Sequence, residues 1–240
     1  MPGKKASSFT TTQWSVVLHA GDSRHPGRRK ALEILCQRYW PPVYQYIRHC
    51  GYDKSASEDL TQSFFTRLLE KRSLKAVDPE RGRFRSFLLA SVKNFLSDSR
   101  DKEQARKRGG GRHFISLDFS EAENLRLQPV DEKTPESVFQ RQWAKSTLIQ
   151  VFGRLRREAL EEQAPERFVL LEGFLTGEMD GTRQNRVAQE LGMSDQALRV
   201  AIHRLRKRFG RLLRSQVAET VADPRQVNDE IRFLFTSLNS

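Results

Sequence analysis

The side chains able to do chemistry in this sequence are cations without matching acids, and the chemistry they suit is the grip of a polyanion. From Gln196 to Arg214 the chain carries Arg199, Arg204, Arg206, Lys207, Arg208, Arg211 and Arg214, and no Asp or Glu. A helix that only faces water intersperses Glu for pairs four apart, so the unbalanced run fits phosphates better than solvent. An amphipathic hairpin with a wet charged face is the plain alternative. The stretch that must position these residues is Asn185 to Phe209, NRVAQELGMSDQALRVAIHRLRKRF. Its pattern predicts a helix-turn-helix: Val187, Ala188 and Leu191 on a first helix, Gly192 at the turn, and Ser194 as N-cap of a second helix. On that second helix Leu198, Ala201, Ile202, Leu205 and Phe209 form an apolar stripe, with Gln196, Arg199, His203, Arg206 and Lys207 opposite. In a helix that reads DNA, the N-terminal residues reach base edges and later cations hold phosphates. Gln196, Arg199 and His203 are therefore base-edge candidates, and Arg204, Arg206, Lys207 and Arg208 positioning candidates.

The whole chain carries the same bias. Its formal net charge is +12 over 240 residues, which favours nucleic acid over a neutral metabolite as partner, with an anionic membrane surface as the other common cause. A hydrophobic content of 37% is modest for one large core, so two small domains are expected. No apolar run approaches a membrane span and the opening MPGKKASSF lacks a signal-peptide core, so a cytoplasmic location is expected. Cys36 and Cys50 are too few for a disulfide framework and lack CxxC spacing; a zinc site of Cys36, His49 and Cys50 would lack a fourth ligand. No P-loop, dinucleotide fingerprint, Ser/His/Asp arrangement or carboxylate cluster is present, so neither an enzyme nor a cofactor is expected.

Taken in order, an N-terminal arm (1–28) precedes a helical domain (29–108). Leu32, Leu35, Cys36 and Tyr39 repeat at helical spacing until Pro41 and Pro42 interrupt, and a new helix carrying Val43 and Ile47 is expected to run to Gly51. In SASEDLTQSFFTRLLEK, Ser55 and Glu58 form a capping box, and Leu60, Phe64, Phe65, Leu68 and Leu69 the buried side. Glu58, Asp59 and Gln62 stand on the outer side; the macrodipole at a helix N-terminus accounts for the two acids, and a docking surface accounts for all three. After a polar loop comes a long basic helix, in which Phe84, Phe87, Leu88, Val92 and Phe95 line one side and Arg85, Leu89, Lys93 and Arg100 the other. Cations interleaved with aromatic rings suit a single strand, although helical spacing favours a core role for Phe84, Phe87 and Phe95.

A Gly-rich and acidic segment (109–133) reads as a flexible linker. A second domain (134–215) opens with Thr134 as N-cap and Pro135 in the first turn, and carries Phe139, Trp143, Val151 and Leu155, then a helix from about Pro165 to Leu175 that supports the reading helix. In the C-terminal extension (216–240), Asp223-Pro224 starts an amphipathic helix with Val227, Ile231, Leu234, Phe235 and Leu238, expected to pack on this second domain.

The series RYWPPVYQYIRHCGYDKSASEDLTQSFFTRLLEK, then GRFRSFLLASVKNFLSDSRDK, then the Asn185 to Phe209 hairpin, resembles a bacterial RNA polymerase sigma factor of the extracytoplasmic-function group. The resemblance spans roughly Leu32 to Arg108 and Glu136 to Arg214, and the ordered pair of motifs is far more specific than either alone. It implies an all-α fold of two small helical domains, a region 2-like bundle and a region 4-like helix-turn-helix domain, joined by a flexible linker. It implies core RNA polymerase and promoter DNA as partners. Glu58, Asp59 and Gln62 match the EDLTQ positions that dock on the β′ clamp helices, and the β flap is a further contact. Asn94, Asp98 and Arg100 match the pattern of the helix that engages the −10 element, where Arg83, Arg85 and Lys93 add charge. Gln196, Arg199, His203, Arg204 and Lys207 match the helix that reads the −35 element. An anti-sigma factor is a further partner of such proteins. Phe87 stands where the family usually has Trp, and Ser63 where an acid often follows the motif glutamine. The competing reading is a stand-alone helix-turn-helix regulator that binds duplex DNA without polymerase; that class normally dimerises on a palindrome and has no use for the acidic-plus-Gln face.

Overall fold

The computed structural model of the chain describes residues 24–70, 83–105, 134–175, 177, 181–221 and 223–239, with the side chains of 69, 70 and 100–105 outside the description. Every regular element among the described residues is helical, so the fold class is all-α as expected. In chain order these are α1 (Arg28–His49), α2 (Lys54–Glu70), α3 (Phe84–Ala105), α4 (Pro135–Glu161), α5 (Pro165–Glu172), α6 (Gly181–Glu190), α7 (Asp195–Ala218) and α8 (Val227–Asn239), the last entered through a 3-10 turn at Pro224–Gln226. The chain divides into two compact units, one of Met1–Ser146 with Ala218–Ser240 and one of Thr147–Val217. The arm as far as residue 23, the polar loop from Ser73 to Gly82 and the linker 109–133 lie outside the described residues.

In the first unit the interruption expected at Pro41 and Pro42 does not occur, because both lie inside the continuous α1. Two prolines remove the N–H groups that would bond carbonyls one turn back. Burial on both sides offsets that loss: Leu35, Cys36 and Tyr39 before the pair, Val43, Tyr44 and Ile47 after it, are all buried. Tyr39 meets Phe84 of α3 edge-on at 5.1 Å, and Phe64 of α2 meets Phe95 of α3 at 5.5 Å, so three helices share one aromatic core. Helix α2 is capped by Asp53, whose carboxylate accepts the Ala56 N–H at 2.8 Å, rather than by Ser55, which lies inside the helix. The cap therefore sits two residues earlier than the sequence pattern suggested.

The expectation that the terminal helix packs on the helix-turn-helix domain is not met. Residues 218–240 group with the first unit, as do residues 135–146 at the start of α4. Helix α8 buries Val227, Glu230, Leu234 and Ser237, and its Phe233 ring lies 6.3 Å from Trp143. Periodicity showed that α8 has an apolar face, but not which core that face covers. The division between the units falls at 146/147 and 217/218, within α4 and at the end of α7.

The second unit holds the helix-turn-helix. Its core joins Leu171 and Phe174 to Val187 and Ala188 of α6 and to Leu198, Ala201 and Ile202 of α7. Gly192 takes φ +60, the left-handed conformation that closes the turn, and the Met193 N–H donates to the Ala188 carbonyl at 2.9 Å. Ser194 caps α7 by accepting the Ala197 N–H at 3.3 Å, as its position predicted.

Candidate nucleic-acid interface

With Leu198, Ala201 and Ile202 committed to the core, the opposite side of the N-terminal half of α7 faces water. Gln196, Arg199, His203, Arg204 and Lys207 are all exposed. At about 100° per residue they span an arc of about 140° on one side of the helix, and its N-terminal end is the fixed end, held by the Gly192 turn and the Ser194 cap. That is the arrangement a base-reading surface requires: polar and cationic side chains in one plane, on a rigid support.

Two cations assigned to phosphates are otherwise engaged. Arg206 donates from Nε and one terminal nitrogen to the Phe174 carbonyl at 3.0 and 2.8 Å. That carbonyl lies just beyond α5, where helix carbonyls run out of intrahelical partners and a cation is favoured. Arg208 donates to Glu158 of α4, with Nε to Oε2 at 2.7 Å, and its hydrogen bonding holds the Glu158 carboxyl below its ordinary value. Arg206 and Arg208 thus fasten α7 to the elements beneath it, a role that sequence could not distinguish from phosphate binding because their partners lie 32 and 50 residues away. Two residues not singled out from sequence join the surface. Val200 is exposed amid the polar arc, and Arg167 of α5 lines a shallow groove together with Gln196, Val200 and Arg204. Spacing could have found Val200, four residues after Gln196 and four before Arg204; nothing local marks Arg167.

In the first unit the five cationic or polar candidates divide. Arg85 is a correction: it is buried, at 4% exposure, and cannot reach a nucleic acid. Its guanidinium donates to both carboxylate oxygens of the fully buried Glu230, at 2.6 and 3.2 Å, and to Gln140 at 2.8 Å, and lies 3.9 Å from the Phe233 ring centroid. Arg83 shares Glu230 at 2.8 Å but stays partly exposed, and Lys93 pairs with Glu136 on the surface. Asn94 is exposed, and Arg100 lies on α3 with its side chain outside the description. Asp98 accepts from Arg67 of α2 and so braces two helices.

Glu58, Asp59 and Gln62 lie on α2 away from the buried stripe of Ser57, Thr61, Phe64, Phe65 and Leu68. Asp59 is exposed, and Glu58 and Gln62, one turn apart, are half-buried. With α2 starting at Lys54, its first turn holds no acid. The macrodipole acts over that first turn, so it favours neither Glu58 nor Asp59 appreciably.

Among the described residues no three His, Cys, Asp or Glu side chains are grouped to hold a metal ion, and no helix is long and apolar enough to cross a membrane. Residues 35–106 match the family model described as sigma-70 region 2. No curated protein and no solved structure gives a significant match to the chain. The region 2 match covers most of α1 and all of α2 and α3, and none of the second unit.

Proposed function

We propose that this chain is a sigma factor of the extracytoplasmic-function group, acting in the cytoplasm without enzymatic activity of its own. Its acidic face of Glu58, Asp59 and Gln62 docks on the β′ clamp helices of core RNA polymerase, and the second unit meets the β flap. Helix α7 enters the major groove of the −35 element, with Gln196, Arg199 and His203 at base edges and Arg204 and Lys207 on phosphates. The first unit engages the −10 element through Lys93, Asn94, Arg100 and Arg83, holding the opened strand. A base recognised on its pairing edge must first leave the stack, at a cost of a few kcal/mol, so the protein's work is to supply binding energy that shifts a duplex equilibrium.

The observation that carries this reading is the region 2 match on residues 35–106 in a chain whose other unit presents a polar, cationic face on the second helix of a helix-turn-helix. Co-purification tests it. The full chain should elute with core polymerase, and D59K with Q62K should lose that association while keeping its helical content. Equal retention of the double variant would remove the docking assignment. Tight promoter binding by the chain alone, unchanged by core enzyme, would favour the stand-alone regulator instead.

A further inference from the structure

The geometry points to Val200 as the residue that reads a thymine methyl group in the upstream promoter element, an inference that rests on the proposal that α7 reads that element. Val200 is 45% exposed, and it lies on the same arc of α7 as Gln196, Arg199, His203 and Arg204. From Asp195 to Lys207 the exposed positions are Asp195, Gln196, Arg199, Val200, His203, Arg204, Arg206 and Lys207, so Val200 is the one apolar side chain among them.

Isolated apolar side chains on a surface are ordinary, and exposure by itself carries nothing. The position does carry something. Valine is a poorer helix former than the alanine or glutamine an exposed site would accept, because its branched Cβ loses rotamer freedom against the preceding turn. Here it borders a shallow groove lined also by Arg167, Arg204, Gln196 and Ser194, with Met193 and Ala197. Cations flanking an apolar spot, with an amide one turn earlier, match what a major groove offers around an A·T pair. Phosphates run along the edge, adenine N7 and N6 meet an amide, and the thymine C5-methyl needs an apolar surface. The branched methyls of Val200 supply that surface, and Gln196 is placed to take an adjacent adenine.

The test isolates one methyl group. The full chain bound to core polymerase selects its preferred upstream element from a randomised duplex library, and each thymine in that element is then replaced in turn by deoxyuridine, which lacks only the C5-methyl. With the native chain one position should lose affinity by about fourfold, the order expected for one buried carbon. With V200S that sensitivity should vanish while the sensitivities at other positions persist, and V200I should retain it. Since Val200 is outside the core, V200S should melt as the native chain does, which separates a lost contact from a lost fold. Insensitivity to deoxyuridine at every thymine, an element without thymine, or the same fourfold loss in V200S would overturn the assignment while leaving the −35 reading intact. Failure of the complex to enrich any upstream element would overturn both.

Discussion

The residue with the most demanding environment is Arg85. A buried guanidinium is tolerated only because Glu230, Gln140 and two aromatic rings surround it, and Glu230 in turn is fully buried against Arg85 and Arg83. Removing one partner of such a pair costs more than the pair contributes, since the other charge is left without compensation. E230Q should therefore destabilise the first unit by about 3 kcal/mol in urea titration; a change within error would show that the pair is dispensable. Cys36 is another residue whose behaviour follows from burial, which pushes its thiol up to about 11. It should resist alkylation at pH 8 in the native protein and react only on unfolding, while the half-buried Cys50 reacts first. Glu158 supplies a pH dependence. Arg208 holds its carboxyl below the ordinary value, so the pair's contribution is present above the unfolded carboxylate's range and is lost as pH falls through the lower folded value. Acid titration of E158Q should accordingly lack a part of the destabilisation that the native second unit shows below about pH 4.

At the scale of elements, what was legible in the sequence was local. The Gly192 turn, the Ser194 cap and the stripe of Leu198, Ala201 and Ile202 are written within one stretch of chain, and each is found where its spacing put it. S194A should cost about 1 kcal/mol, and D53A a similar amount at the start of α2, while S55A should be nearly neutral because Ser55 caps nothing. What could not be read is whatever depends on distant partners. Arg85 and Arg206 have the same local signature as Arg199, and only Glu230 and the Phe174 carbonyl, remote in sequence, set them apart. Pro41 and Pro42 misled for the same reason. Their local cost is real, and the core residues on either side outweigh it.

At the scale of the whole molecule, the division of the chain makes its terminal segment part of the first unit, although it follows the second in sequence. Among the described residues the tryptophans are Trp40 and Trp143, both in the first unit, so their fluorescence reports on it. Ending the chain at Val217 should lower the fluorescence-detected melting temperature and leave the helix-turn-helix signal of the second unit in place; an unchanged fluorescence transition would mean that α8 adds nothing to the first unit. A net charge of +12 also makes any DNA complex salt-sensitive, so affinities are comparable only at one ionic strength. The most direct test of the sigma-factor reading is in vitro transcription with purified core RNA polymerase on a library of promoter fragments. The expected result is discrete, promoter-dependent transcripts that require both the chain and the core enzyme. Their absence, with the chain folded and bound to core, would contradict it.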